Sequence, residues 1–154
     1  MKRTNESGRS MVEMLGVLAI IGVLSIGGIA GYTMAMNRYR ANEIIDSVNK
    51  YAVIAYTACR TAMTMRGTAA CAAGTDYPTY AESGLTPVSV LGGGNVVTID
   101  DATFDAMTDV GGRNSYTNVD LDFGDNIDIC KAAASTAGTV CGADNTFTYK
   151  VRNS

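Results

Sequence analysis

The feature that most constrains this chain is an uncharged run of 23 residues, Met14 to Met36, with one carboxylate, Glu13, at its mouth. As an α-helix rising 1.5 Å per residue, such a run spans about 34 Å, enough to cross the core of a bilayer with some tilt. Lys2 and Arg3 precede it and suit a cytoplasmic N-terminus, but Arg38 and Arg40 flank the far side, so the charge asymmetry is weak. A charged carboxylate costs roughly 2.5–3.5 kcal/mol at the centre of a membrane helix and less near its end. Retained at that cost, it marks a functional residue in need of a positive partner. Cutting the chain between Gly8 and Arg9 would supply one, a free amine four residues before Glu13.

Glycines 16, 22, 27, 28 and 31 thin the helix so that neighbouring helices can approach, and Gly27 with Gly31 forms a small-xxx-small pair. Gly27-Gly28 is also a place for the helix to bend or locally melt. Two plainer readings compete. One is a secretory signal, with Lys2-Arg3 as its basic region and Gly28-Ile29-Ala30 as a small-x-small cleavage site. The other is an uncleaved single-pass anchor, which gains nothing from Glu13.

Gly8 followed by Arg9-Ser10-Met11-Val12-Glu13 and a long apolar helix resembles the class III signal of type IV pilins and of the pseudopilins of type II secretion systems. The resemblance runs through the long helix and implies three regions. Residues 1–8 would be a leader removed by a prepilin peptidase after Gly8. Residues 9–36 would be a transmembrane and assembly helix beginning at a methylated Arg9. Residues 37–154 would be an amphipathic helix continuing into a globular pilin domain. Glu13, fifth in the mature chain, would neutralise the terminal amine of an adjacent subunit. Arg9 stands where the family usually has Phe, and Gly27-Gly28 and Gly31 stand near a position where it often has proline. The implied function is structural, a subunit of a type IV pilus-like fibre, with a secretion pseudopilin as the neighbouring alternative. The implied partners are further copies and other pilins, the peptidase, an inner-membrane assembly platform, and the membrane itself through residues 14–36. The implied location is the inner membrane of a Gram-negative bacterium before assembly, then an extracellular pilus or periplasmic pseudopilus. No cofactor is implied.

Beyond Asn37 the composition turns polar, yet Ala41, Ile44, Ile45, Val48, Ala52, Ala55 and Cys59 recur at spacings of three and four. That period predicts one apolar face of an amphipathic helix, with Lys50 and Arg60 on or near the other side and a stop at Gly67. The reading is one helix from Met14 to about Met65, with a break near Asn37 as the alternative. The stretch from Thr75 to Asn95 holds both prolines and several turn signals, and reads as a connection with little regular structure. Strands are predicted for "NVVTI" from Asn95, "TNVDLDF" from Thr117 and "TFTYKVR" from Thr146, with a short helix for "DATFDAMTDV" from Asp101. The fold class is therefore α+β, a long helix packed on a small antiparallel sheet in a roll that the pilin resemblance also implies.

Only three Phe and no Trp are available to fill a core, so covalent support is expected. Cys59, Cys71, Cys130 and Cys141 permit three pairings; the simplest is local, 59 with 71 and 130 with 141. A zinc site is disfavoured by the lack of CxxC and of any histidine. Disulfides imply an oxidising compartment for everything after the apolar run. The pilin resemblance adds that the last pair closes a variable C-terminal loop.

Without histidine the commonest general base is missing, as are all triads built on it. Gly92-Gly93-Gly94 lacks the Lys-Ser/Thr of a phosphate loop. Catalysis is not expected. Past the leader the chain carries ten basic and fourteen acidic side chains, so nucleic acid is not an expected partner. The charges are segregated: residues 38–66 are mainly basic, whereas residues 100–128 hold eight aspartates against Arg113. Such a molecule can attract copies of itself head to tail, although solvated faces explain the pattern equally well. Asp120, Asp122, Asp125 and Asp128 are dense enough to suggest calcium, but the glycine falls at Gly124, out of place for an EF-hand, and no Glu closes the loop. Calcium-dependent folding would favour the pseudopilin alternative. A soluble secreted domain, the contrasting class, would lose residues 1–30.

Overall fold

The computed structural model describes residues 7–67, 71–85, 97–105 and 116–153, and the side chains of these except at 7–10 and 105. Helix α1 runs Ser7–Arg66 without interruption, through both Gly27-Gly28 and Asn37. Four strands follow: β1 Thr98–Ile99, β2 Thr103–Asp105, β3 Tyr116–Asp122 and β4 Thr146–Arg152, with helix α2, Ile127–Ala137, between β3 and β4. By internal contacts the chain divides into residues 1–36 and residues 37–154.

In the second unit the apolar face read from the period is the buried one. Ala41, Ile44, Val48, Ala52 and Ala55 have no exposure to solvent, and Tyr51 and Met63 extend the same face. They share one core with Ile99, Val119, Leu121, Phe123 and Phe147 of the sheet side and Ile129, Cys130, Ala133 and Ala134 of α2. Each buried Ile, Leu or Val contributes roughly 1.5–3 kcal/mol relative to exposure, so a charge at Val48 would be ruinous. Helix α1 ends where Gly67 turns into the left-handed region at φ +67° and donates its N–H to the Met63 carbonyl at 2.8 Å. Glycine reaches that conformation without the steric cost of a Cβ.

The sheet is antiparallel throughout, with β3 at its centre. Strand β4 pairs along the whole of β3, from Tyr116↔Arg152 to Asp122↔Thr146. The other edge of β3 is shared by β1, through Ile99↔Leu121, and β2, through Thr103↔Asn118. Three residues separate the paired ends of β1 and β2 while only two lie opposite on β3, so one residue is extra and the strand bulges. The bulge accounts for a departure from the sequence reading. Asp101–Val110 was expected to be helical, but Thr103–Asp105 is strand β2, recruited by a β3 edge that β1 leaves half covered; residues 106–110 lie outside the described residues. Asn95 and Val96 of the first predicted strand also lie outside them, and β1 begins at Thr98.

Helix α2 was not anticipated. It ends in a Schellman arrangement, with Gly138 at φ +72° and the Thr139 N–H bonded to the Ala134 carbonyl at 2.9 Å. Cys130 lies in this helix and bonds to Cys141, so the segment closed by that disulfide is mainly helical rather than a loop. Cys59 bonds to Cys71 and ties the turn after α1 back to its penultimate turns. The pairing is local in both cases.

Candidate assembly helix

The residues singled out at the N-terminus all fall on α1, with Gly8 and Arg9 in its opening turn and Glu13 in the next. A helix advances 100° per residue, which places Glu13, Gly16, Gly27 and Gly31 within a stripe about 60° wide. A Cβ built at any of these three glycines meets nothing within 4 Å. Ile20 falls inside the same stripe and is 63% exposed, so the bare backbone is confined to the three glycine positions, with the carboxylate at one end. Around it the large apolar side chains are fully presented: Met11, Leu15, Leu18, Val23, Leu24 and Ile26 are all more than 60% exposed. Among the described residues, this is the one helix long and apolar enough to cross a membrane. Burying such a surface, in lipid or against other helices, is what its chemistry demands.

Glu13 forms no hydrogen bond or ion pair among the described residues. No described side chain of the same molecule supplies it with a positive charge. Ser25 and Thr33, the polar residues further along, return their hydroxyls to the Ile21 and Ala30 carbonyls at 2.8 and 3.0 Å. They carry no unmet donor into an apolar environment.

The acidic cluster is dispersed into local roles. Asp120 accepts from the Thr148 hydroxyl across β3 and β4. Asp122 accepts the Gly124 N–H at 2.8 Å and closes the turn after β3. Asp128 sits in the first turn of α2, where the helix dipole favours a negative charge. Among the described residues no group of three acidic or thiol side chains is placed to hold a metal ion.

What the sequence reading missed is the polar clasp between α1 and the sheet. The buried Tyr51 hydroxyl accepts the Ala102 N–H at 3.3 Å and directs its proton between the Pro78 carbonyl and Asp101 Oδ1, each at 3.4 Å. Asp101 also accepts the Tyr80 N–H at 3.2 Å, and Tyr77 donates to the Ala102 carbonyl at 2.5 Å. The Tyr80 hydroxyl meets the buried Ser47 hydroxyl at 2.9 Å, and its ring stands edge-on to that of Tyr51 with centroids 5.2 Å apart. Burial pushes the Tyr51 phenol up to about 12, with the Asp101 charge adding to it, and burial also raises Tyr77. The available signal was a run of tyrosines inside a turn-rich segment, Tyr77 and Tyr80, which a solvated connection does not need.

No family model, characterised protein or solved structure compared with the chain matches it.

Proposed function

We propose that this chain is the structural subunit of a type IV pilus-like fibre, inserted in a membrane by its apolar helix, processed after Gly8, and assembled through that helix. The observation that carries the reading is the stripe on α1, where Glu13 shares one face with Gly16, Gly27 and Gly31 on a helix whose apolar surface the chain leaves exposed. The small-xxx-small pair Gly27 and Gly31 lets a second helix approach closely at one end of the face, above Ile20. A carboxylate at its other end then selects a partner presenting a positive charge at the matching height. Misaligned axial registers leave that carboxylate buried without a counter-charge, a loss of about 3–5 kcal/mol. Two disulfides on the globular unit are in keeping with an oxidising exterior for the fibre surface.

The deciding experiment is the intact mass and N-terminal peptide of the chain isolated from a membrane fraction. A mature chain beginning at Arg9, with or without a methyl group, is the expected result. A chain beginning at Gly31 would mean an ordinary secreted domain, and the fibre reading would fall with the lost helix.

A further inference from the structure

Between Glu13 and Tyr32 the helix carries one polar side chain, Ser25, and its hydroxyl is returned to the Ile21 carbonyl. Tyr32 is 63% exposed, and its hydroxyl makes no hydrogen bond among the described residues. The short hydroxyls of Ser25 and Thr33 reach carbonyls of their own helix, but a phenol ring carries its oxygen clear of the backbone and cannot do the same. The Tyr32 hydroxyl therefore needs a partner from outside the chain, as Glu13 does. Nineteen helical steps separate the two groups, a rise of about 28.5 Å, close to the ~30 Å thickness of a bilayer's hydrocarbon core. The uncharged run to Met36 is longer, about 34 Å, so it must either tilt to stay submerged or leave the core before its end. Submerging it would strip the Tyr32 hydroxyl of every partner, a costly state in hydrocarbon.

We propose that the hydrocarbon core extends from Glu13 to Tyr32 on α1, and that phospholipid headgroups of opposite leaflets hold the carboxylate at one boundary and the phenol at the other. Tyrosine suits the boundary because its ring lies in the apolar layer while its hydroxyl reaches the phosphate and ester oxygens. At 100° per residue Tyr32 stands about 100° around the helix from Glu13, off the stripe that holds Gly27 and Gly31. The face it shares with Met14, Leu18 and Ile21 is apolar and exposed, so lipid can cover it while the glycine pair stays available to a second helix. Residues 33–36 then emerge into the headgroup layer rather than lying in the core. Glu13 keeps contact with water for as long as the helix is in the bilayer and loses it on transfer into an apolar bundle. The need for a counter-charge thus arises at extraction, not at insertion. The inference rests on the membrane part of the fibre reading.

The test uses the full-length chain, its native disulfides oxidised, in vesicles of phosphatidylethanolamine and phosphatidylglycerol. Ile29→Cys and Ala35→Cys, one at a time, carry a nitroxide about 4.5 Å before and about 4.5 Å beyond Tyr32 along the helix. Collision of the nitroxide with oxygen, which concentrates in hydrocarbon, is compared with its collision with a water-soluble nickel complex. The nickel-to-oxygen ratio should rise roughly fivefold or more from position 29 to position 35, across the core boundary. At the other end Met11→Cys should read as aqueous and Leu18→Cys as submerged. Tyr32→Leu should move the outer boundary by about one turn, about 5 Å, and bring position 35 to the ratio of position 29, whereas Tyr32→Trp should leave it in place. A label at 11 or 35 as submerged as its inner neighbour in the otherwise unaltered helix, or a boundary that Tyr32→Leu does not move, would overturn the inference. The N-terminal peptide of the chain from its native membrane separates the two readings. A chain starting at Arg9 with position 35 submerged keeps the fibre and loses this depth; an uncleaved chain with the boundary at Tyr32 keeps the depth and loses the pilin route.

Discussion

Replacing Tyr51 with Phe isolates the clasp between α1 and the sheet, because the ring and its edge-on contact with Tyr80 remain and only one oxygen is lost. That oxygen is the acceptor for the Ala102 N–H, on a residue 1% exposed, where water does not take its place. Leaving a buried donor unpaired costs about 1–3 kcal/mol. The bonds around the hydroxyl are long, 3.3–3.4 Å, which places the expected loss in the lower half, about 1–2 kcal/mol. The chain has eight tyrosines and no tryptophan, so near-ultraviolet circular dichroism of the full-length protein in detergent micelles, titrated with urea, follows the globular unit directly. A second readout guards against a merely structural loss. With Tyr51 raised to about 12, the folded state keeps a phenolic proton that the unfolded chain releases near its ordinary value of 10. Stability from this source is therefore complete below pH 10 and disappears as pH climbs towards 12. Tyr51→Phe should remove much of that alkaline slope, with Tyr77, also raised by burial, accounting for the remainder. A loss below about 0.3 kcal/mol, with the alkaline slope unchanged, would refute the assignment of the hydroxyl as the acceptor that secures the bulge.

Glu13→Gln should leave membrane insertion and monomer abundance unchanged while cutting sheared fibre yield more than tenfold; normal fibres from this variant would remove the carboxylate from the assembly argument. Replacing either cysteine pair by alanine should cost roughly 3 kcal/mol, the loop-closure value for 11–12 residue separations, read as a shift in urea midpoint at constant slope. Gly138→Ala should lower stability by about 1 kcal/mol, since the added Cβ meets open space but must hold φ at +72°; an unchanged midpoint would show that the turn after α2 relaxes freely.

The long helix was legible because two different signals agreed along it. Residues 14–36 are apolar on every side, and from Ala41 to Cys59 the period of 3.6 picks out the very positions that the core buries. Strand β4 was legible because "TFTYKVR" alternates, and it forms over those seven residues. Strand β2 was not, because three residues cannot display a period; its conformation is imposed by the open edge of β3. Helix α2 was hidden by its neighbours. "IDIC" continues an aspartate-rich turn, and the alanines after it bury a face too small to announce itself. The clasp was hidden for another reason. Tyr51 lies on the apolar face of α1 and reads as filler until Asp101 and Ala102, some fifty residues away, are brought to its hydroxyl by the bulge.

Because both disulfides are local, neither one crosses from α1 to the sheet. Force applied to the two ends of the chain would find that junction held by noncovalent contacts, the tyrosine clasp among them. Once it parts, the roughly 60 residues between Cys71 and Cys130 can pay out to about 200 Å, while the two short loops stay closed and keep their ends in register for refolding. A chain so stapled can lengthen under load without being severed, extensible rather than brittle.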